Sequence, residues 1–415
     1  MINKTLLQEK ALNIWKSNKG IGTLEIATGV GKTKIALDAI KAVYNRLLKE
    51  DENHVFKCLI IVPTEVIRDQ VFPSEFEKWN MLDIMSKFCQ IECIQTVYKY
   101  IDRTYDLVIV DEIHRILPIE DQYEYYKFFN NNTYKYILGL SATIDKQQLF
   151  RLNRIAPVCF KYTLDNALED GIISAFKIYN VAVSLTEEEK VNLGKIQRNY
   201  NYYEGLLGGK FEAFDEATKY LGGNYLSEQI SVEELKVKKM LANNFFRAIK
   251  ARKKLLEEAA EKQIVLKELL DIKPFKESQG IIFSGSTKVA SKLIEINNKV
   301  GVYHSLKPQK SRAETLNLFN EGTLRYLSTV NALNEGLSIN SIEFAITLAS
   351  SSKARILIQR CGRICRYVKN KQAILINLYI EDSQEVKYLR SSQLNLTNHV
   401  IWCKSIDDFK DKINE

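Results

Sequence analysis

At 415 residues the chain is too long for one ordinary domain and suits two or three. Apolar residues make up 46% and charged residues 27%, the profile of a globular protein, and 6 Pro and 18 Gly leave no room for a long disordered or collagen-like region. No apolar run is long enough to span a membrane, and the net charge of +8 is compatible with a polyanionic partner without establishing one.

The N-terminal stretch MINKTLLQEKALNIWK is amphipathic and carries Lys and Glu throughout, unlike the uninterrupted apolar core of a signal peptide. A cytoplasmic location is therefore expected. The 7 cysteines are odd in number and scattered, which argues against a disulfide framework. Cys89/Cys93 and Cys361/Cys365 form two close pairs without a His cluster nearby, so reduced thiols are expected rather than zinc.

In chain order, EIATGVGKTKIA (25–36) runs from an apolar segment through a glycine-rich turn into a helical pattern. KCLIIVP (57–63), FCQIECI (88–94), YDLVIVDE (105–112) and YKYILGLSAT (134–143) then read as buried strands, with helical spacing between them. That alternation predicts a parallel, doubly wound sheet. The rhythm returns after residue 278 with GIIFSGST, VGVYHS, YLSTV, FAITLAS and AILINLYI. Residues 187–275 are charged and almost free of strands, and 241–270 read as one long helix or two. The expectation is an N-terminal α/β domain (1–164), a linker and helical insertion (165–275), a second α/β domain (276–385) and a short tail (386–415).

In ATGVGKT, Gly29 and Gly31 permit backbone conformations that turn successive amides, with Thr28 and Val30, onto phosphate oxygens. Lys32 is placed to reach the β- and γ-phosphates and the Thr33 hydroxyl to ligate Mg²⁺. The first glycine of the full phosphate-loop pattern is replaced by Ile26, which leaves a glycine-rich turn with a solvated lysine as the alternative. In LVIVDEIH four apolar residues bury a strand with Asp111 and Glu112 at its carboxyl end, where such sheets place ligands. Asp111 suits a metal's water shell, and Glu112 suits polarising the water that attacks the γ-phosphate. An N-cap Asp followed by a first-turn Glu is the competing reading. In ILIQRCGRICR, Gln359, Arg363 and Arg366 fall at i, i+4 and i+7 and share one helix face, fit for a developing phosphate charge.

With these segments in order, the sequence resembles the superfamily 2 helicases and translocases in their DExH branch. ATGVGKT looks like motif I, IIVPTEVIRDQ motif Ia, DEIH motif II and GLSAT motif III. GIIFSGSTKVA looks like motif IV, STVNALNEGLSI motif V and QRCGRICR motif VI, so the likeness spans roughly residues 5–366. Motifs I, V and VI are similar to the group with excision-repair helicases, type I restriction motor subunits and phage branch-migrating helicases. The resemblance implies two tandem RecA-like domains that close on ATP·Mg²⁺.

It also implies roles for further residues. Gln8 would read the adenine edge, Gly336 would lie at the ATP cleft, and Arg363 and Arg366 would be arginine fingers. Ser141 and Thr143 would couple hydrolysis to domain movement, and Arg360 would brace the DEIH loop. Pro63, Thr64, Arg68, Ser284, Gly285, Ser286 and Thr329 would line a nucleic-acid track. Thr5 stands where many relatives have Arg, and Ser338 where motif V often has Asp. A monomeric motor on DNA, on forks or branched junctions, is the expectation. RNA, or a motor subunit of a nuclease or defence complex, is the alternative. In the insertion, QRNYNYYEGLLGGKFEAF reads either as a base-stacking surface or as packing against the second domain.

Overall fold

The computed structural model describes residues 3–117, 124–210, 212–223, 230–330, 342–351, 372–394 and 396–414. Two parallel sheets dominate it. The first holds β1 (Ile21–Ile26), β2 (Cys58–Val62), β3 (Cys89–Cys93), β4 (Thr104–Asp111), β5 (Thr133–Ser141) and β6 (Val158–Tyr162), in the order β3-β2-β4-β5-β1-β6. The second holds β7 (Ala175–Val183), β8 (Gly280–Phe283), β9 (Val300–Tyr303), β10 (Tyr326–Thr329), β11 (Phe344–Thr347), β12 (Gln372–Ile380) and β13 (Val400–Cys403). Its order is β13-β7-β12-β11-β8-β10-β9. The doubly wound α/β expectation is met in both halves.

The strands form where continuous apolar runs are buried on both faces, as helix-covered parallel sheets require. Leu107, Val108, Ile109 and Val110 of β4 are fully buried, as are Ile281 to Phe283 of β8. The helix Lys32–Glu50 buries Ile35, Ala36, Leu37, Ala39 and Ile40 on its sheet-facing side. Each such aliphatic side chain contributes about 1.5–3 kcal/mol of transfer free energy, before entropy is subtracted. The first helix, Lys4–Ser17, is tied across the sheet by Trp15, whose indole N–H donates to Ile137 O at 2.9 Å.

Two segments lie elsewhere than the sequence suggested. Residues 175–183, counted with the linker, are β7 inside the second sheet, between β12 and β13. The expected tail supplies β13 and the helix Ile406–Asn414, which packs Phe409 into that domain's core. Of the polar residues that interrupt β7, Lys177 and Asn180, Asn180 is fully buried. It donates to Gln393 Oε1 at 2.8 Å and accepts from Asn377 Nδ2 and Gln393 Nε2, both at 2.9 Å. That closed amide network lets a polar residue stand in the core.

The insertion contains the helices Glu187–Leu206, Ala213–Gly222 and Val232–Glu258, with a small core of Leu207, Ala213, Ala217, Ala242 and Phe245. The 241–270 stretch is two helices, broken at Ala259 by an extended ψ of 131°. After β2, the expected helix begins with a π-turn, Ile67–Val71, before Phe72–Lys78. Pro73 explains this, because it has no N–H to offer the preceding turn and crowds its carbonyl. The described cysteines, Cys58, Cys89, Cys93, Cys159 and Cys403, are free thiols.

Candidate active site

β1 delivers the chain at Ile26 to the carboxyl edge of the first sheet, and the helix must start at Lys32. The reversal uses two left-handed glycines, Gly29 with φ 89° and Gly31 with φ 95°. A Cβ at Gly31 would sit 2.5 Å from Gln8 Nε2 and displace that amide, besides straining the left-handed backbone. The first helix holds the loop from the side. Lys4 Nζ donates to Gly29 O at 2.9 Å, and Gln8 Nε2 donates to Val30 O at 2.8 Å. Lys32 Nζ folds back on Ile26 O at 3.3 Å, a long bond that is easily exchanged. Thr33 follows in the first helical turn.

β4 and β1 are separated only by β5, so their carboxyl ends face one cleft. Asp111 ends β4 opposite Leu140 of β5. Glu112 then leaves the sheet in a left-handed conformation (φ 53°, ψ 51°), which is uncommon for a side-chain-bearing residue and is held by its surroundings. A short turn, Ile113–Arg115, follows, and Gln148 clamps it. The Gln148 amide N–H₂ donates to His114 O at 2.7 Å and to Leu117 O at 2.8 Å.

His114 is buried, and its Nδ1 lies 2.9 Å from Ser141 Oγ and 3.3 Å from Glu112 Oε2. Ser141 uses its own hydrogen on Thr143 O at 2.8 Å. Its oxygen therefore accepts, and the His114 proton is on Nδ1, shared toward Glu112. Burial alone would push the Glu112 carboxyl up, but the Lys32 ammonium, the His114 N–H and charge, and Arg115 outweigh it and hold it at about 2. Glu112 is thus ionised and acceptor-only at neutral pH. Its Oε2 is buried and faces the His114 ring nitrogen at 3.3 Å.

The residues expected along a nucleic-acid track divide. Thr64, Ser284 and Thr329 hold buried hydroxyls without a hydrogen-bond partner at the carboxyl edges of β2, β8 and β10. Pro63 O accepts from Gln95 Nε2 at 3.3 Å. Arg68 is engaged by its neighbour, with Nε 2.6 Å and one terminal nitrogen 3.1 Å from the Asp69 carboxylate. The amides of Gly285 and Ser286 both donate to Glu257 Oε1 at the end of the long insertion helix, the second at 2.9 Å. In the insertion, Arg252 stacks 4.3 Å over Tyr200 and donates to Gln197 Oε1 at 3.0 Å, so it packs helix on helix. Gly336, Gln359, Arg360, Arg363 and Arg366 lie outside the described residues. Lys4, Gln148 and Glu257 are contacts that motif spacing did not reveal.

Residues 2–146 match the family model described as type III restriction enzyme, res subunit, and residues 261–368 match the helicase conserved C-terminal domain. The chain belongs to helicase superfamily 2. Among curated proteins this helicase is similar to the ATP-dependent RNA helicase DBP8 of Candida albicans, 29% identical over 119 residues, 28% of this chain and 27% of the relative. It is also similar to the probable eukaryotic initiation factor 4A of Trypanosoma cruzi, 24% identical over 133 residues, 31% of this chain and 32% of the relative. The matched stretches thus span about a third or less of those relatives' length.

Solved structures similar to the helicase include S. cerevisiae Dbp5 bound to RNA and ADP BeF3, with TM-score 0.62 and 15% identity over 97% of this chain and 90% of that one. The Pyrococcus furiosus Hef helicase domain gives 0.56 and 15%, over 93% and 97%. This likeness shows the fold, two tandem RecA-like domains.

Proposed function

We propose that this helicase is an ATP-driven motor on single-stranded nucleic acid, with RNA as its substrate. The observation that carries the catalytic half is the placing of Glu112, in its left-handed turn after β4, and of the Gly29–Gly31 loop after β1 at the carboxyl edge of one sheet. Lys32 cradles the β- and γ-phosphates, and Glu112 orients and deprotonates the attacking water. Thr33 and Asp111 offer the hard oxygen donors that Mg²⁺ takes. Among the described residues no three His, Cys, Asp or Glu side chains gather to hold an ion. Mg²⁺ keeps waters and leans on substrate phosphates, and when bound it would neutralise charge on them. Gln359, Arg363 and Arg366, with Gly336, complete the site from the second domain as it closes, and Gln8 reads the base. Ser141, through His114, reports the state of Glu112 to β5, with Thr143 and Arg360 in the same relay.

The substrate reading rests on the relatives: DBP8 is named an RNA helicase, and the Dbp5 structure holds RNA. DNA, the expectation from the sequence motifs, is the second reading, favoured by the restriction-enzyme model that matches the first domain. The test is ATP hydrolysis alone and with single-stranded RNA, single-stranded DNA, forked DNA or duplex, beside Glu112→Gln. Stimulation chiefly by RNA, lost in the variant, supports the proposal. Stimulation by forked DNA and not RNA transfers it to the DNA reading, and no stimulation by any of them overturns it.

A further inference from the structure

The glycine-rich loop between β1 and the helix Lys32–Glu50 includes two peptide units, Gly29–Val30 and Val30–Gly31. In a trans peptide the C=O and the N–H point in opposite directions. Whatever fixes the Gly29 carbonyl therefore fixes the Val30 N–H, and whatever fixes the Val30 carbonyl fixes the Gly31 N–H. Both carbonyls are held, and both from the same helix: Lys4 Nζ donates to Gly29 O at 2.9 Å and Gln8 Nε2 to Val30 O at 2.8 Å. Lys4 and Gln8 are one helical turn apart and so share a face.

The loop needs such a restraint. Gly29 (φ 89°) and Gly31 (φ 95°) are the two residues with the most backbone freedom, and they flank the unit on both sides. Val30, fully buried, anchors only the middle. A flip of the Gly29–Val30 peptide would turn a carbonyl oxygen toward incoming phosphate and lose a donor.

We propose that Lys4, acting with Gln8, is a positioning residue for ATP, pinning the Gly29 and Val30 carbonyls outward so that the Val30 and Gly31 amides point into the phosphate cradle. Lys4 acts through the loop and does not read the base. Gln8 keeps a second amide hydrogen and its Oε1 for the adenine edge, so the two tasks are compatible. This rests on the reading of the loop as the ATP phosphate site.

The test measures binding of ATP, GTP and inorganic tripolyphosphate to the full chain and to Lys4→Met, Lys4→Arg and Lys4→Met/Gln8→Leu, with KM and kcat for ATP alongside. Lys4 is exposed, so the single variants fold as the wild type does. Removing one pinning bond is expected to weaken all three ligands alike, about threefold for Lys4→Met, and the double variant should weaken tripolyphosphate about tenfold and ATP further, because Gln8 also reads the adenine. KM should rise with little change in kcat, and Lys4→Arg should restore it. Wild-type affinity for tripolyphosphate in Lys4→Met, or an effect confined to one base, overturns the proposal while leaving the phosphate site intact. If wild type binds no tripolyphosphate and no ATP, the phosphate reading fails and takes the proposal with it.

Discussion

His114 Nδ1 stands 2.9 Å from Ser141 Oγ and 3.3 Å from Glu112 Oε2, so a single buried ring N–H spans the DEIH turn and the end of β5. Ser141→Ala removes the stronger acceptor and leaves that N–H to Glu112 alone. A lost bond of this kind is worth about 0.5–1.5 kcal/mol where its donor keeps a second acceptor. The expected outcome is a fall of up to roughly tenfold in strands separated per ATP hydrolysed, read by measuring unwinding and hydrolysis on the same preparation. A parallel fall in both rates would mean that Ser141 supports the site without linking it to motion.

Glu112 is depressed to about 2 because Lys32, His114 and Arg115 together overcome the effect of burial. A carboxyl whose folded value lies below its unfolded one, about 4.3, stabilises the fold above that pH, and the stabilisation is lost as the pH falls through the folded value. Glu112 therefore stays ionised throughout the working range. Glu112→Gln should lower hydrolysis by roughly 10²- to 10⁴-fold at every pH from about 5 to 9, with the residual profile unmoved. Loss of the acid limb in the variant would show that Glu112 itself titrates there.

Gln148 holds two carbonyls of the DEIH turn, His114 O and Leu117 O, from a helix thirty-odd residues away in sequence. Gln148→Leu keeps the apolar volume and strands both acceptors, a destabilisation of about 2–4 kcal/mol. Thermal unfolding should show the first domain melting earlier, and ATP hydrolysis should fall with it as Glu112 loses its left-handed seat. A wild-type melt with wild-type activity would remove Gln148 from the site.

What the sequence made legible was whatever is local. β4 and β8 declared themselves because every residue of LVIV and IIF is buried. The loop at Gly29 and Gly31 was readable because its demands fall on consecutive residues. β7 was hidden by Lys177 and Asn180, whose polar side chains break the apolar run, and the Asn180 partners lie nearly two hundred residues or more downstream. The π-turn was legible only in hindsight of Pro73, since helical spacing around it is otherwise regular. Lys4, Gln148 and Glu257 act on atoms 25, 34 and 28 residues away, separations that carry no local signal.

Glu257 tests the reading of the second domain. Its carboxylate takes the amides of Gly285 and Ser286, the turn expected to meet a nucleic-acid backbone, and the partnerless Ser284 hydroxyl is in the same turn. A phosphate and this carboxylate compete for the same donors. Glu257→Ala should bind a labelled single-stranded oligonucleotide about tenfold more tightly by anisotropy. Weaker binding together with a lower melting temperature would make Glu257 a staple of the insertion helix and nothing more.

The helix after Ala259 is fastened to the second sheet by a buried ion pair. Lys262, with a fully buried side chain, donates to both oxygens of Glu385 at 2.9 and 3.0 Å and to Leu348 O at 2.8 Å. Glu385 in turn accepts the Ile380 N–H at 2.9 Å, so the charges are satisfied on every side. Removing one partner leaves a buried charge uncompensated, and Lys262→Met should destabilise the second domain by about 3–5 kcal/mol. Replacing both, as Lys262→Met/Glu385→Met, removes the stranded charge and should return part of that loss. Chemical denaturation of the three proteins checks the order. A double variant less stable than Lys262→Met would show that Glu385 acts mainly through the Ile380 amide, and that the ion pair is incidental to where the insertion joins the sheet.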